Sequence, residues 1–381
     1  MPAEPRRVAM LAALPFPTRQ GTQVVIDALC ESLAQRGHEI GLYTYGPPCA
    51  PLARTYTHIA VGQSEVGERS GPSFARVRAD VRLASGVLRA LTRAPPDLIH
   101  AHHFEALPIG LLMRRVTGRP LVYHAHSALG PELPSYFRRA APLAYAMGSA
   151  FDRLLPRRAD AVVVFDAHQA ALYARLGVAH ERLHVVAPGV LPIPADVAAP
   201  QRISTLRAQL GDGPIALYAG NPDAYQNLPL LGRALALARQ ALPTLKLLVL
   251  SHHAPALFAA QWRHLALGDE VVYTPLRDDG DLAAAHAVAT FGVVPRTLAV
   301  GAPVKVINYL LAGLPVVACR ASAALLDGAA GVLVDPEPRA FADGMLAAVT
   351  THDRVTAGAL AQRYLATGLA PAYERIYDLL H

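Results

Sequence analysis

The stretch "VVPRTLAVGAPVKVINYLLAGLPVVA" (residues 293–318) predicts a buried strand, a long loop, a short helix and a second strand. Gly301 keeps side-chain bulk away from a ligand, and Pro303 suits the first turn of a helix, where an N–H has no intrahelical partner. Lys305 follows closely, beside the free N–H groups of the helix N-terminus, which attract anions. Gly313 ends the helix. The stretch therefore predicts an α/β unit with a diphosphate site at the start of its helix.

The same alternation of apolar strand, loop and amphipathic helix recurs along both halves of the chain. Short apolar strands separated by helices imply parallel sheets covered on both faces. We therefore predict two Rossmann-like, doubly wound parallel-sheet α/β domains that face each other across a cleft, with strand-end loops pointing into it. The predicted strands are 8–13, 40–45, 98–101, 121–124, 161–165 and 183–186 in the first half, and 215–219, 245–250, 271–273, 291–294, 315–318 and 331–334 in the second.

A composition shift separates the two halves. The first domain is predicted over residues 1–190, and a proline-rich linker over 191–205 follows it. The second domain is predicted over residues 206–365. The tail at about 366–381 is predicted to be helical and to pack back on the first domain.

Composition is that of a globular chain in a reducing compartment. Hydrophobic residues make up 52% of the 381 residues and charged residues 17%, and no apolar run reaches the length of a membrane span. The apolar run 8–14, which follows two arginines, is predicted to be a first strand rather than a secretory signal. Cys30, Cys49 and Cys319 have neither metal nor redox spacing, so no metal is expected.

The net charge of +6 comes almost entirely from arginine. Lys246 and Lys305 are the two lysines, which suggests that Lys305 is needed as a compact ammonium, although chance explains it equally well. Without a zinc-finger, RRM-like or long basic-region signature, nucleic acid is not an expected partner. No G-x-G-x-x-G follows the strands at 8–13 and 215–219, and there is no P-loop or G-x-S-x-G motif. These absences argue against a dehydrogenase, a P-loop nucleotidase and a serine hydrolase.

Histidines crowd two neighbouring strand ends, in "HAHHFEA" (100–106) and "YHAHSALGPE" (123–132). We single out His126 because it lies just past its strand, and Glu105 because it can reach the same rim. For any single histidine, a satisfied core residue is the alternative interpretation. A metal site formed by His102, His103 and His126 is also conceivable, but the remaining ligands are missing.

Seven segments spread over nearly the whole chain carry a family resemblance. They are residues 8–21, "DLIHAHH", "PLVYHAHS", "ADAVVVFD", "HVVAPGV", "LYAGNPDAYQNLPLL" and "PVKVINYLLAGLPVVA". Their order and spacing resemble GT-B glycosyltransferases, in particular glycosyltransferase family 4, the retaining group that uses nucleotide sugars. The resemblance implies an acceptor-side first domain and a second domain that binds the nucleotide sugar.

The resemblance also implies roles for particular residues. His126 is expected to contact the donor sugar, and Lys305 and Arg296 to stabilise the departing diphosphate. His103 and Glu105 are expected on the acceptor side. The expected donor-binding residues are Gly21, Thr22, Gly220, Asn221, Gln226, Gly301, Ala302, Pro303 and Asn308, the last for a ribose hydroxyl.

The sequence departs from the family pattern at four positions. Many members have an arginine and a lysine where Asn221 and Gln226 stand here, and two glutamates where Val300 and Asn308 stand. We interpret this as a branch with an altered glutamate motif, in which Lys305 and Arg296 replace the missing cations.

The predicted activity is retaining transfer of a hexose-type sugar to a hydroxyl on a glycan, a lipid-linked or a small-molecule acceptor. A UDP-sugar is the first guess for the donor, which is a substrate, and no cofactor is expected. The alternatives are a catalytically silent nucleotide-sugar-binding protein and a nucleotide-sugar epimerase or hydrolase.

Arginine-rich segments of the first domain suggest a peripheral place on an anionic membrane. A solvated arginine-rich face is the alternative interpretation. The expected location is therefore the cytoplasm, with peripheral binding to the inner face of the membrane. The arginines concerned are Arg76, Arg78, Arg82, Arg89 and Arg93, then Arg138, Arg139, Arg153, Arg157 and Arg158.

Overall fold

The structure is a computed structural model with two compact units. It describes residues 4–18, 20–46, 54–62, 66, 71, 73–193, 197–265, 267–298, 301–326, 331–350 and 354–380, without the side chains of 323–324 and 354–357. The first unit contains Met1–Leu191 and Leu365–His381, together with Gly301 and Ala302. The second contains Pro192–Ala299 and Pro303–Tyr364. Cys49 and Val300 lie outside the described residues.

The first unit is built on a seven-stranded sheet in which all neighbouring strands are parallel. The strand order is β3-β2-β1-β4-β5-β6-β7. The strands are β1 (Arg7–Pro15), β2 (Glu39–Tyr45), β3 (Thr57–Val61), β4 (Leu98–His102), β5 (Leu121–His124), β6 (Ala161–Val164) and β7 (Leu183–Val185).

Helices cover both faces of this sheet, with an apolar core on each side. They are α1 (Gly21–Ala34), α2 (Phe74–Arg93), α3 (His103–Thr117), α4 (Leu129–Glu132), α5 (Ala141–Leu154), α6 (Ala167–Arg175) and, from the end of the chain, α14 (Leu369–Asp378). The last helix packs beside α1, and its Tyr373 and Tyr377 are buried in the core on that face. The C-terminal segment thereby completes the first unit.

The second unit has a six-stranded parallel sheet in the order β10-β9-β8-β11-β12-β13. Its strands are β8 (Ile215–Ala219), β9 (Lys246–Ser251), β10 (Val271–Pro275), β11 (Phe291–Val294), β12 (Val316–Cys319) and β13 (Gly331–Val334). Its helices are α7 (Pro200–Leu210), α8 (Leu228–Ala241), α9 (Pro255–Trp262), α10 (Asp279–Val288), α11 (Val304–Leu311), α12 (Pro338–Thr350) and α13 (Arg354–Ala361).

The predicted fold class of two doubly wound parallel-sheet domains is confirmed, and every predicted strand is present to within two residues at each end. The sequence analysis missed β3, because this edge strand is only half-buried and lacks a continuous apolar run. Helix α7 begins at Pro200, inside the predicted linker, because Leu206 and Leu210 find an apolar surface on the second unit. Of the whole described chain, no helix is long and apolar enough to cross a bilayer.

Candidate active site

Each sheet reverses its strand order at one point, and the candidate residues follow the strands at that point. In the first unit the reversal lies between β1 and β4, and in the second between β8 and β11. In open parallel sheets, the loops that leave the carboxyl ends of the two strands at such a point diverge to opposite faces and form a crevice for ligands.

Gly220 and Lys305 meet at the carboxyl end of β8. A Cβ atom on Gly220 would lie 2.6 Å from Lys305 Nζ, so the absence of a side chain makes room for the ammonium. Nζ donates to Gln226 Oε1 over 3.1 Å and lies 4.1 Å from the centroid of the Tyr218 ring. The ammonium is therefore held by one amide oxygen and one aromatic face, without a carboxylate in direct contact among the described residues.

This environment lowers the pKa of Lys305 to about 7. Burial is the main cause, the positive charge of Arg296 adds to it, and the carboxylate of Asp223 opposes both. Arg296 is itself buried, donates from Nε to Leu298 O over 2.9 Å and has its guanidinium 5.5 Å from the centroid of the Tyr225 ring. Two cations thus lie near one another, which favours an anionic ligand.

Helix α11 adds its N-terminus to these two cations. It begins at Val304, immediately after Pro303, so Lys305 stands in its first turn. Asn308 lies about one turn later and is half-buried. Gly301 has a φ of +61°, a conformation that favours glycine, and Gly313 ends the helix at +69°. The predicted helix is therefore present as α11, with Pro303 before its first residue and Gly313 just after its end.

The loop after Gly220 is ordered by its own side chains. Asn221 Nδ2 donates to Asp223 Oδ2 over 2.7 Å and to Tyr225 Oη over 3.3 Å, while Tyr218 Oη donates to Asn221 O over 2.7 Å. Asn221 Oδ1 is buried and has no hydrogen-bond partner within the described part of the chain. It is an acceptor suited to a donor group of a ligand. Tyr218 and Asp223 belong to this site, although the sequence analysis did not select them.

In the first unit, His103 and Glu105 form a paired cluster at the end of β4. His103 Nδ1 lies 3.1 Å from Glu105 Oε2, and Arg76 Nη1 donates to Glu105 Oε1 over 3.1 Å. Burial opposes protonation of His103, but the Glu105 carboxylate outweighs it, so that the pKa of His103 is raised and that of Glu105 lowered. His103 has a φ of +68°, unusual for a residue with a side chain, and such backbone strain is concentrated at functional sites.

Ser127 and Glu132 extend this cluster from the end of β5. Ser127 Oγ donates to Glu132 Oε2 over 2.7 Å and lies 3.2 Å from His103 Nε2. The sequence analysis missed both residues, and it assigned Arg76 to an exposed basic face. That assignment is wrong, because Arg76 forms an ion pair with Glu105 and its side chain is only 12% exposed. Both Ser127 and Glu132 stand in the quoted segment 123–132, the serine directly after His126 and the glutamate at its end.

His126 lies just beyond β5, as predicted, but it is 5% exposed and packed among other imidazoles. Its Nε2 lies 3.3 Å from His102 Nδ1, and burial, together with the neighbouring imidazoles of His102 and His103, holds its pKa well below the usual range. It is therefore a neutral hydrogen-bonding group. Gly21 and Thr22 are the first two residues of α1, where backbone N–H groups are free.

The three histidines with converging ring nitrogens are His100, His102 and His124, not the set considered from the sequence. His103 pairs with Glu105 instead, and His126 lies at the edge of the group. All three are fully buried, and His100 and His124 pack against Tyr373 of α14.

Two doubly wound parallel-sheet domains, the second with a crevice suited to an anion, form the architecture of the GT-B fold. Comparison with known proteins gives the same fold. The model of glycosyltransferase family 4 matches residues 19–192, and the model of glycosyl transferases group 1 matches residues 213–351. The chain thus belongs to the GT-B glycosyltransferases, with a family 4 domain followed by a group 1 domain.

Individual relatives extend over nearly the whole chain. D-inositol 3-phosphate glycosyltransferase 1 of Catenulispora acidiphila is 28% identical over 98% of this chain and 94% of its own length. The structure of Anabaena HepE in complex with UDP-glucose is similar with a TM-score of 0.75 at 17% identity, covering 98% of this chain and all (100%) of that one. Sucrose-phosphate synthase of Thermosynechococcus elongatus gives a TM-score of 0.76 at 19% identity, covering 98% of each chain.

Proposed function

We propose that this glycosyltransferase moves a sugar from a nucleotide diphosphate donor to a hydroxyl of its acceptor with retention at the anomeric carbon. The observation that carries the proposal is the Lys305 ammonium, enclosed by Gly220, Gln226 and the Tyr218 ring at the switch point of the second sheet. A UDP-sugar is the first choice of donor, and the UDP-glucose named in the HepE structure supports it.

In this mechanism the protein stabilises the leaving diphosphate. Lys305, Arg296 and the N-terminal N–H groups of α11 provide fixed positive charge where negative charge develops as the glycosidic bond breaks. Asn308 is proposed to hold a ribose hydroxyl, and Asn221 Oδ1 to accept a further hydrogen bond from the donor. The family resemblance implies that the leaving phosphate itself helps to deprotonate the acceptor hydroxyl. No protein base and no metal are therefore required in this step.

The acceptor is proposed to be a sugar or a sugar derivative bound by the first unit. Hydrogen-bond donors and acceptors are both available at the carboxyl end of the sheet, from His103, Glu105 and Ser127. The Catenulispora relative is named for D-inositol 3-phosphate, a compound whose hydroxyl groups a cluster of this kind can bind. The contact of His126 with the donor sugar, and of Gly21 and Thr22 with the diphosphate, stays a prediction.

A peripheral place on an anionic membrane is also proposed. Helix α5 exposes Leu143, Tyr145 and Met147 at 63%, 55% and 62%. Four of the second group of arginines flank α5 rather than standing within it: Arg138, Arg139, Arg157 and Arg158 lie in short turns before and after it. Exposed apolar side chains between basic residues are typical of interfacial segments. Binding to vesicles with phosphatidylserine should fall at least about tenfold in R138E/R139E, given about 1 kcal/mol per basic residue; unchanged binding would exclude this surface.

The main experiment compares the natural protein with Lys305→Ala on a panel of nucleotide sugars, with and without acceptor extracts. Release of nucleotide diphosphate that depends on acceptor supports transfer, and Lys305→Ala should reduce turnover about 10²–10³-fold. Near-normal transfer by Lys305→Ala would contradict the role of Lys305 in stabilising the leaving diphosphate. Binding without turnover indicates a silent sensor, and acceptor-independent conversion indicates an epimerase or hydrolase. The configuration of the product, read by NMR, decides between retention and inversion.

A further inference from the structure

Three histidines converge on the sheet face beneath the C-terminal helix. His100 and His102 point to the same face of β4, two residues apart, and His124 is the register partner of His102 on β5. One ring nitrogen from each lies within 4.8 Å of the others, and all three side chains are fully buried. None of them has a role in the mechanism proposed above.

The ring nitrogens are in the form that binds metal ions. His100, His102 and His124 are fully buried, and burial favours the neutral imidazole, which is the form that binds a metal ion. His100 Nε2 is buried and has no hydrogen-bond partner within the described residues, while its Nδ1 lies 2.8 Å from Tyr377 Oη. A free nitrogen on one side and a hydroxyl on the other is the arrangement of a metal-binding histidine with an outer hydrogen bond.

The fourth nearby donor is a sulfur atom. Met10 Sδ lies 3.3 Å from His102 Nε2. No carboxylate of the described chain is among the converging donor atoms. Thioether and imidazole donors select Cu⁺, whereas Mg²⁺, Ca²⁺ and Mn²⁺ require oxygen. Because the cost of burying an ion rises with the square of its charge, a site without an anionic ligand also favours a monovalent ion.

The rings need only a small adjustment to coordinate one ion. Those of His100 and His102 are stacked, with centroids 4.4 Å apart and planes 13° apart, so their lone pairs run nearly parallel. Metal–imidazole bonds of about 2 Å place three donor nitrogens about 3.3–3.5 Å apart around one ion. Nitrogens at the observed limit of 4.8 Å lie about 2.8 Å from their common centre, so each must move inward by a little under about 1 Å, which tilting of the rings toward one another can provide.

We propose that His100, His102 and His124, with Met10 as the sulfur donor, form a buried Cu⁺ site in the first unit. Tyr377 and Tyr373 of α14 contact two of the ligands, so the ion would fasten the C-terminal helix to the sheet. Coordination through His102 Nε2 also fixes its proton on Nδ1, from which it would donate to His126 Nε2. The site thus extends to a residue of the candidate active site without depending on the proposed transfer reaction.

The test is an anaerobic titration of the full-length protein with Cu⁺ against a coloured Cu⁺ chelator. We expect one Cu⁺ per chain and a higher unfolding temperature with the ion bound. Long-range ¹H–¹⁵N spectra with Ag⁺, a redox-inert substitute, should shift the ring nitrogens of these three histidines, with a smaller shift at His126, the hydrogen-bond partner of His102. Absence of stoichiometric binding, or the largest shifts at histidines outside this group, would overturn the proposal. Zn²⁺ that displaces Cu⁺ from the same residues would overturn the choice of ion.

Variants locate the site. His100→Gln should remove chelator-resistant binding, and His168→Gln, at an exposed histidine, should leave it intact. Tyr377→Phe should weaken Cu⁺ binding about 10–100-fold by removing the outer hydrogen bond. Tyr123→Phe, at a tyrosine buried on the other face of the sheet, is its matched control. If His100→Gln does not fold, the Tyr377→Phe comparison and the Ag⁺ spectra of the natural protein still decide the question.

Discussion

The two switch-point crevices share one topology but differ in charge. In the first unit, each charged group of the His103 cluster has an opposite partner: Glu105 lies between His103 and Arg76, and Ser127 bridges His103 to Glu132. In the second unit, Lys305 lies near another cation, Arg296, and its direct partners are an amide oxygen and an aromatic ring. The pKa of His103 is accordingly raised and that of Lys305 lowered.

This difference shows what each crevice is suited to bind. A charge-balanced cluster gains little from an anion but offers hydrogen bonds to neutral hydroxyl groups. The second crevice has two cations and one nearby carboxylate, Asp223, and is therefore positive, so it gains most from a diphosphate. The same fold element therefore supports acceptor recognition in one unit and donor recognition in the other, in line with the proposed function.

The largest expected effect comes from moving the lysine of the second crevice. Lys305 Nζ donates to Gln226 Oε1. The family resemblance implies a lysine at the position of Gln226 in many members, and we infer that Lys305 supplies the same charge from another element. We expect Lys305→Gln to lower kcat about 10²–10³-fold. The double variant Lys305→Gln/Gln226→Lys should recover at least about tenfold of that loss. Steady-state kinetics with UDP-sugar checks both.

Lys246→Gln is the control for this pair. Lys246 is the other lysine of the chain and stands at the amino end of β9, away from the crevice at the carboxyl ends of the strands. This variant should retain full activity. A well-folded double variant that is no more active than Lys305→Gln would show that the backbone position of the lysine matters and not only the place of its charge. The interpretation of a relocated cation would then be wrong.

The sequence predicted Lys305 because a lysine in an arginine-rich chain stood in the first turn of a glycine-flanked helix. Its contact with Gln226 spans 79 residues and depends on how β8 and β11 pair, which local patterns do not encode. The His103–Glu105 pair is two residues apart and was predicted to share a rim, whereas the approach of Arg76 from α2 required the tertiary structure. Strands were predicted well because buried parallel strands are continuously apolar.

The second expected effect is a pH dependence confined to the second crevice. Lys305 has a pKa of about 7 without ligand, and a bound diphosphate favours its charged form, so binding takes up a proton above pH 7. Affinity for UDP should therefore fall as pH rises from 7 to 9, by up to about tenfold per pH unit. Calorimetry in buffers of different ionisation enthalpy measures both the affinity and the proton uptake.

Lys305→Arg separates this titration from other causes, because a guanidinium remains charged over the whole range. Its UDP affinity should be nearly independent of pH between 7 and 9. A natural protein with a flat profile, or a variant with the same slope as the natural protein, would assign the proton to another group.

The smallest expected effect concerns the first crevice. Glu105→Gln keeps the shape of the side chain but removes the charge that raises the pKa of His103, and burial then lowers that pKa. Loss of a charged hydrogen-bonding group at the acceptor should raise the acceptor KM about fivefold, or ~1 kcal/mol, and leave the donor KM unchanged. Glu39→Gln, at an exposed glutamate where β2 begins, is the matched control. An NMR titration of the His103 ring gives a readout independent of turnover. If the donor KM rises instead, the charge-balanced cluster serves the donor, and the division of labour between the two crevices fails.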